Sequence, residues 1–182
     1  MSQEFFADRL DIKAFAKSQG ALSGETPLSG FERLMAEAHG LNLSHQVAWT
    51  AQGEMLTGAG GSEQCWLHVQ ASLSLPQICQ RCLSGVDTEV TVARDFRFVA
   101  TEAQAEAEDE EAEEDVLAWS KSFDLLALIE DELLMAMPLV PVHEVCPTVV
   151  KMSAQDENFE SIEGEKLNPF AVLASFKADK SK

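Results

Sequence analysis

Positive charge is scarce in this sequence. Its 182 residues hold 13 lysines and arginines against 31 aspartates and glutamates, a formal net charge of −18. Naked nucleic acid is held mainly by Lys and Arg neutralising phosphates, so a polyanion is a poor direct ligand and a basic protein a good one. Long apolar runs are missing too. No stretch approaches the roughly 20 residues of a membrane span, which predicts no membrane partner. Nor is there a basic start followed by an apolar stretch: Met1 to Leu10 carries acids and two adjacent phenylalanines. That predicts no signal peptide and a cytoplasmic address. Cysteines number four, Cys65, Cys79, Cys82 and Cys146. In a reducing compartment they form no disulfide framework, which leaves thiols or a metal site. No internal repeat is present, and Gly58 to Gly61 lacks the Lys and Ser/Thr of a nucleotide cradle.

What is there is enough apolar material for a core. Hydrophobic residues make up 46% and charged residues 24%, which suits one domain with some unstructured length. Residues 1–40 read as a helical segment. Ile12 and Phe15 stand at helical spacing, with Asp11 to cap them and Gly20 to stop them. After a turn at Pro27 to Gly30, a second short helix runs from Phe31 to Ala38 with Phe31, Leu34, Met35 and Ala38 on one face. Residues 41–150 read as a sheet-plus-helix core. Leu41 to Trp49 alternates as a strand, with an extension at Met55 and Leu56 after a turn at Gly53. From Cys65 to Leu75 the alternation is clearest: Leu67, Val69, Ala71, Leu73 and Leu75 face one way, Trp66, His68, Gln70, Ser72 and Ser74 the other. Val90, Val92, Phe96 and Phe98 mark another strand, interrupted by Arg94.

Residues 102–115 hold nine acids and no base, which predicts a solvated loop or frayed helix within an acidic loop at 101–118. The strongest helix runs from Phe123 to Met137. Leu125, Ile129 and Leu133 stand four apart, Ser122 or Asp124 can cap it, and Pro138 ends it. The fold expected is α+β: an antiparallel β-sheet meander covered by one long helix, with short N-terminal helices. Residues 151–182 are expected as a flexible tail with a short apolar segment at 168–177.

Three stretches carry a family resemblance. They are Cys79-Gln80-Arg81-Cys82-Leu83, then Phe123-Asp124-Leu125-Leu126 running through Pro138-Leu139-Val140-Pro141-Val142-His143, then Asn168-Pro169-Phe170-Ala171-Val172-Leu173. In order and spacing, over residues 40 to 177, they resemble the bacterial YceD family, named for large ribosomal RNA subunit accumulation. The resemblance implies a role in synthesis, processing or stability of large-subunit ribosomal RNA, and no known catalytic activity. Family members are often encoded beside a zinc-containing large-subunit ribosomal protein, which implies the same pathway.

Cys79-x-x-Cys82 has the spacing at which two thiolates converge on one tetrahedral zinc ion, and His143-x-x-Cys146 offers the second pair. One structural zinc is the cofactor this set suggests. The competing reading is two reduced cysteines in a tight turn beside a solvated histidine. Some relatives resemble a fuller zinc knuckle with more cysteines in the second cluster, from which this sequence departs. A redox role fits poorly, because the pair lies between strands and not at a helix N-terminus. The four histidines are scattered, and Glu130-Asp131 reads as the polar side of the long helix. Asn168, Pro169, Phe170, Leu173 and Phe176 form an amphipathic segment that either docks on a partner or packs back on its own sheet. Arg81, Arg94 and Arg97 either make a positive spot or pair with the many acids.

Two functions follow. One is a non-enzymatic ribosome-assembly factor whose acidic surface holds a ribosomal protein or rRNA-processing factor, so that contact with the RNA is indirect. The other is a direct RNA-binding module with a Cys/His zinc site, using Arg81 and the C-terminal lysines. A metal-dependent RNA-processing enzyme is the remaining class.

Overall fold

A computed structural model of the protein describes residues 4–40, 45–58 and 61–149. The elements run α1 (Ile12–Lys17), β1 (Ala21–Pro27), a single 3₁₀ turn, α2 (Glu32–Glu37), β2 (Gln46–Thr57), β3 (Glu63–Ile78), β4 (Gly85–Val99), α3 (Glu102–Asp109), β5 (Asp115–Ala118) and α4 (Leu125–Ala136). The fold is mixed α+β, with a sheet in the order β1-β2-β3-β4-β5. The first four strands form an antiparallel meander, and β5 then adds to β4 in parallel.

Alternation decides which side of the sheet is covered. Leu67, Val69, Ala71, Leu73 and Leu75 of β3 are buried, as are Val90, Phe96 and Phe98 of β4. They meet Ile12 and Phe15 of α1, Leu34 of α2, and Leu125, Ile129 and Leu133 of α4 in one cluster. Each such side chain contributes about 1.5–3 kcal/mol on full burial. The 12-residue α4 therefore does not cover the sheet alone; it shares that face with α1 and α2. Asp124 caps α4, accepting a hydrogen bond from the Ala127 N–H at 3.0 Å, and Asp11 does the same for Ala14 in α1.

Several expectations change. Residues 1–40 are not wholly helical, because β1 pairs along β2 from Ala21↔Gln52 to Pro27↔Gln46. A seven-residue edge strand with one large apolar side chain, Leu22, carries little alternation signal. Gly24 is required there: a Cβ would stand 2.8 Å from the Trp49 ring. Gly53 is not a turn but lies inside β2, because α1 crosses over it. A Cβ at Gly53 would come within 2.9 Å of the Ala16 backbone, and its N–H donates to the Gly20 carbonyl.

The acidic segment is not a loop throughout. Thr101 caps α3, Ala105 packs with Val99 and Val116, and β5 follows. The compensating base comes from outside the segment: Arg97 on β4 donates to Glu108 and Glu114 at 2.5 Å each. Glu130 does not face solvent. It is buried, and its carboxylate accepts from the Arg33 and Leu34 N–H groups at 2.8 and 3.2 Å and from the Arg33 guanidinium. It thus supplies the N-terminal cap that Phe31 cannot give to α2. Burial pushes the Glu130 carboxyl up, but Arg33 and the two backbone donors outweigh it and hold it below the ordinary range. The expected strand residues 41–44, the acids and lysines beyond 149, and the tail segment 168–177 lie outside the described residues.

Candidate metal centre

The β3–β4 connection is a six-residue turn, 79–84. The Cys79 N–H donates to the Ser84 carbonyl and the Leu83 N–H to the Cys79 carbonyl, each at 2.9 Å. Closing so tightly puts Leu83 at φ 59, a left-handed conformation that a non-glycine residue adopts with strain. Arg81 is exposed between the two cysteines, with no carboxylate in salt-bridge range among the described residues.

The second half arrives from α4. Pro138 stops the helix and Pro141 keeps the chain extended. The Pro141 carbonyl accepts from the Gln80 N–H at 2.9 Å, stitching this segment to the turn. The next residues bring His143 and Cys146 beside Cys79 and Cys82. The four ligand atoms all lie within 4.8 Å of one another, with Cys79 buried and the others half-buried. Cys82 Sγ stands 3.4 Å from His143 Nδ1, and the His143 N–H donates to Cys79 Sγ at 3.4 Å.

These donors fit a zinc ion. Zn–S bonds of about 2.3 Å and Zn–N bonds of about 2.0–2.1 Å set tetrahedral ligand-to-ligand edges of about 3.4–3.8 Å. The Cys82–His143 edge already has that length, and no edge needs more than about 1 Å of contraction. Three thiols with one imidazole are a soft set suited to zinc. Four protein donors leave no open position, which is the pattern of a structural site.

The electrostatics favour thiolate at two of the positions. Burial pushes the Cys79 thiol up, but N–H donors from Cys82, His143 and Arg81, with the His143 side chain, outweigh it and bring it down to about 5. The Ser84 hydroxyl and N–H lower Cys82. Hydrogen bonding to Cys79 raises His143. Burial raises Cys146, as do its contacts with Cys82 and Cys79. Ser84, with Oγ at 3.1 Å from Cys82 Sγ, is a site residue the spacing alone does not reveal; its only sequence signal is a hydroxyl two residues after a ligand.

Other expected groups lie elsewhere. Cys65 belongs to the core, and burial pushes its thiol up to about 11. His68, on the face away from the helices, is held by Asp95 at 2.6 Å. Arg94 pairs with Asp115 at 2.7 Å and Glu132 at 3.3 Å, and Arg97 with Glu108 and Glu114, so neither joins Arg81 in a positive spot. Asn168, Pro169, Phe170, Leu173 and Phe176 lie outside the described residues.

A family model described as "Large ribosomal RNA subunit accumulation protein YceD" matches residues 67–177, more than half of the chain and the whole of both ligand pairs. The chain belongs to the YceD family. A curated YceD protein of Haemophilus influenzae, described in the same words, is 36% identical over 104 residues, which cover 54% of this chain. The match spans 58% of that relative's length. No solved structure matches. The YceD match begins within β3 and takes in the turn, α4 and the tail segment, while α1, β1 and α2 lie before it.

Proposed function

We propose that this YceD-family protein is a non-enzymatic accessory factor for the synthesis, processing or stability of large-subunit ribosomal RNA, and so serves ribosome biogenesis. It acts through contact with a basic protein surface, that of a ribosomal protein or an rRNA-processing factor. The link to ribosomal RNA comes from the names of the family and of the Haemophilus influenzae relative. The observation behind the mode of action is how the bases are used. The described residues hold 25 acids and eight bases. Arg33, Arg94 and Arg97 each engage two carboxylates. Lys13 sits over the Trp119 ring and Arg9 over Phe6. Only Lys17, Arg81 and Lys121 remain without such a contact among the described residues. Three bases amid 25 acids are a poor grip on phosphates and a good surface for a cationic partner.

Cys79, Cys82, His143 and Cys146 are the residues that would hold one structural zinc. The chemistry zinc supplies there is cross-linking of the β3–β4 turn to the segment after α4, not activation of water. Zinc analysis of protein purified without added metal should find about one ion per chain; less than half an equivalent rejects the site. Arg81, exposed between two ligands, supports the second reading, a zinc-organised module that touches RNA directly.

A gel shift on naked large-subunit RNA across a salt series separates the two. The first reading expects no retained RNA at about 0.15 M salt, with co-sedimentation on precursor particles. Tight binding with a steep salt slope supports the second. Chelator-sensitive RNA cleavage would refute both.

A further inference from the structure

Among the described residues, α1, α2 and α4 cover one face of the meander, and the opposite face is open along its middle. Strand register sets the side chains of that open face in rows. Thr50, Gln70 and Ala93 stand side by side across β2, β3 and β4, and Ala48, Ser72 and Thr91 form the next row; all six are exposed. With Ser23 and Glu25 of β1 they line a trough of about 820 Å³. Carboxylates bracket it at both ends. Glu25 lies directly beside Ala48, and Glu89 stands one row on, opposite Ser74. At the other end Asp95 stands opposite His68, and Glu54 opposite Trp66, with His68 between the two carboxylates at 2.6 and 3.5 Å. The Asp95 side chain is still 61% exposed. No lysine or arginine lines the trough among the described residues. Arg97, opposite Trp66, is already taken by Glu108 and Glu114. A face that only had to be soluble would intersperse both signs of charge. This one sets a single sign around an uncharged floor of short side chains.

We propose that this trough is the docking site for an extended cationic segment of a partner protein, which lies along β3 and sets its lysines or arginines on the two groups of carboxylates. The partner's basic character rests on the function proposed above; what is added is the surface that receives it. Glu89 and Asp95 are both on β4, and the six residues of strand between them span about 20 Å at roughly 3.3 Å per residue. Bases about six residues apart on an extended segment match that spacing. The short side chains of the floor let the segment's backbone approach the sheet. Charge selects this occupant over others. A nucleic acid strand would set phosphates against the carboxylates, with no base in the trough to offset them. A second copy of this chain, docked face to face, would set the same acids against one another.

Fluorescence anisotropy of the full-length protein tests this at low salt, with a labelled peptide of about 12 residues that carries lysine pairs about six residues apart and serine and alanine elsewhere. The wild type should bind the peptide and release it as salt rises. Glu25→Gln/Glu89→Gln/Asp95→Asn should weaken binding about tenfold. Glu102→Gln/Glu106→Gln/Glu110→Gln removes the same charge from exposed positions in the acidic segment and should change it less than about twofold. Ala48→Arg/Ala93→Arg, which sets bases on the floor, should abolish binding. Equal weakening by the two triple variants, full binding by the arginine variant, or no binding by the wild type overturns the proposal. In a nuclease-treated pull-down, a basic protein recovered equally by the wild type and the trough triple variant overturns this site alone. None recovered by the wild type overturns the basic-partner reading beneath it as well.

Discussion

Residues 102–115 and residues 138–149 both lack the apolar periodicity of a core element, yet the fold holds them by opposite means. The acidic stretch is fastened by charge: Arg97, nearly buried, takes Glu108 and Glu114 together and folds α3 and β5 onto the edge of β4. The second stretch has no ion pair among the described residues. It is fastened by donors converging on sulfur and by one backbone hydrogen bond from Gln80 to Pro141. One attachment is complete in its ion pairs, and the other ends in four donors that could hold a metal ion. The lesson is that a segment can be ordered without a hydrophobic stripe if the polar groups it presents find fixed counterparts on the sheet.

The largest effect should come from the metal end. Cys79→Ser should abolish zinc binding and let residues 138–149 exchange freely, while β3 and β4 stay protected. Structural zinc contributes about 10–16 kcal/mol of apparent binding energy in small finger peptides, far more than any ion pair in this molecule. Cys65→Ser should leave the zinc content at the wild-type level, since Cys65 is a core thiol. Equal loss of zinc in both variants would break the comparison.

Next comes the charged end. Arg97→Ala leaves two carboxylates without their partner and should destabilise the α3–β5 unit, read by denaturant titration and by faster exchange at residues 102–118. The attachment also has a pH signature. Hydrogen bonding to Arg97 is the leading cause that holds Glu108 and Glu114 below their ordinary value of 4.5. A carboxyl depressed in the folded state contributes stability above its unfolded value and loses it as pH falls through the folded one. Acidification below 4.5 should therefore open residues 102–118 in the wild type and change little in Arg97→Ala. The smallest effect is local: Leu83→Gly removes a left-handed strain of about 1–2 kcal/mol and should raise Tm by a few degrees with zinc content unchanged, whereas a drop in Tm would show that the leucine side chain holds the turn.

Much of this was legible in the residues. The alternation of β3, the stripe and Asp124 cap of α4, and the Cys79-x-x-Cys82 and His143-x-x-Cys146 spacings can all be read directly, because each is a local pattern. What escaped depends on distant partners. β1 is a strand because Gly24 lets the Trp49 ring lie over it. Gly53 stays extended because α1 needs to approach. α3 forms because its counter-charge sits on β4, and Glu130 is inside because α2 lacks a cap of its own. The positive φ of Leu83 follows from closing a six-residue turn around two ligands, where the sequence offers leucine and not glycine.

The central claim is that a body this acidic reaches ribosomal RNA through a cationic protein. A pull-down of the full-length chain from cell extract, with and without nuclease, tests it most directly. The account predicts that a basic protein stays bound after the RNA is digested and is released by salt. Loss of every partner on nuclease treatment, with RNA recovered in its absence, would contradict it.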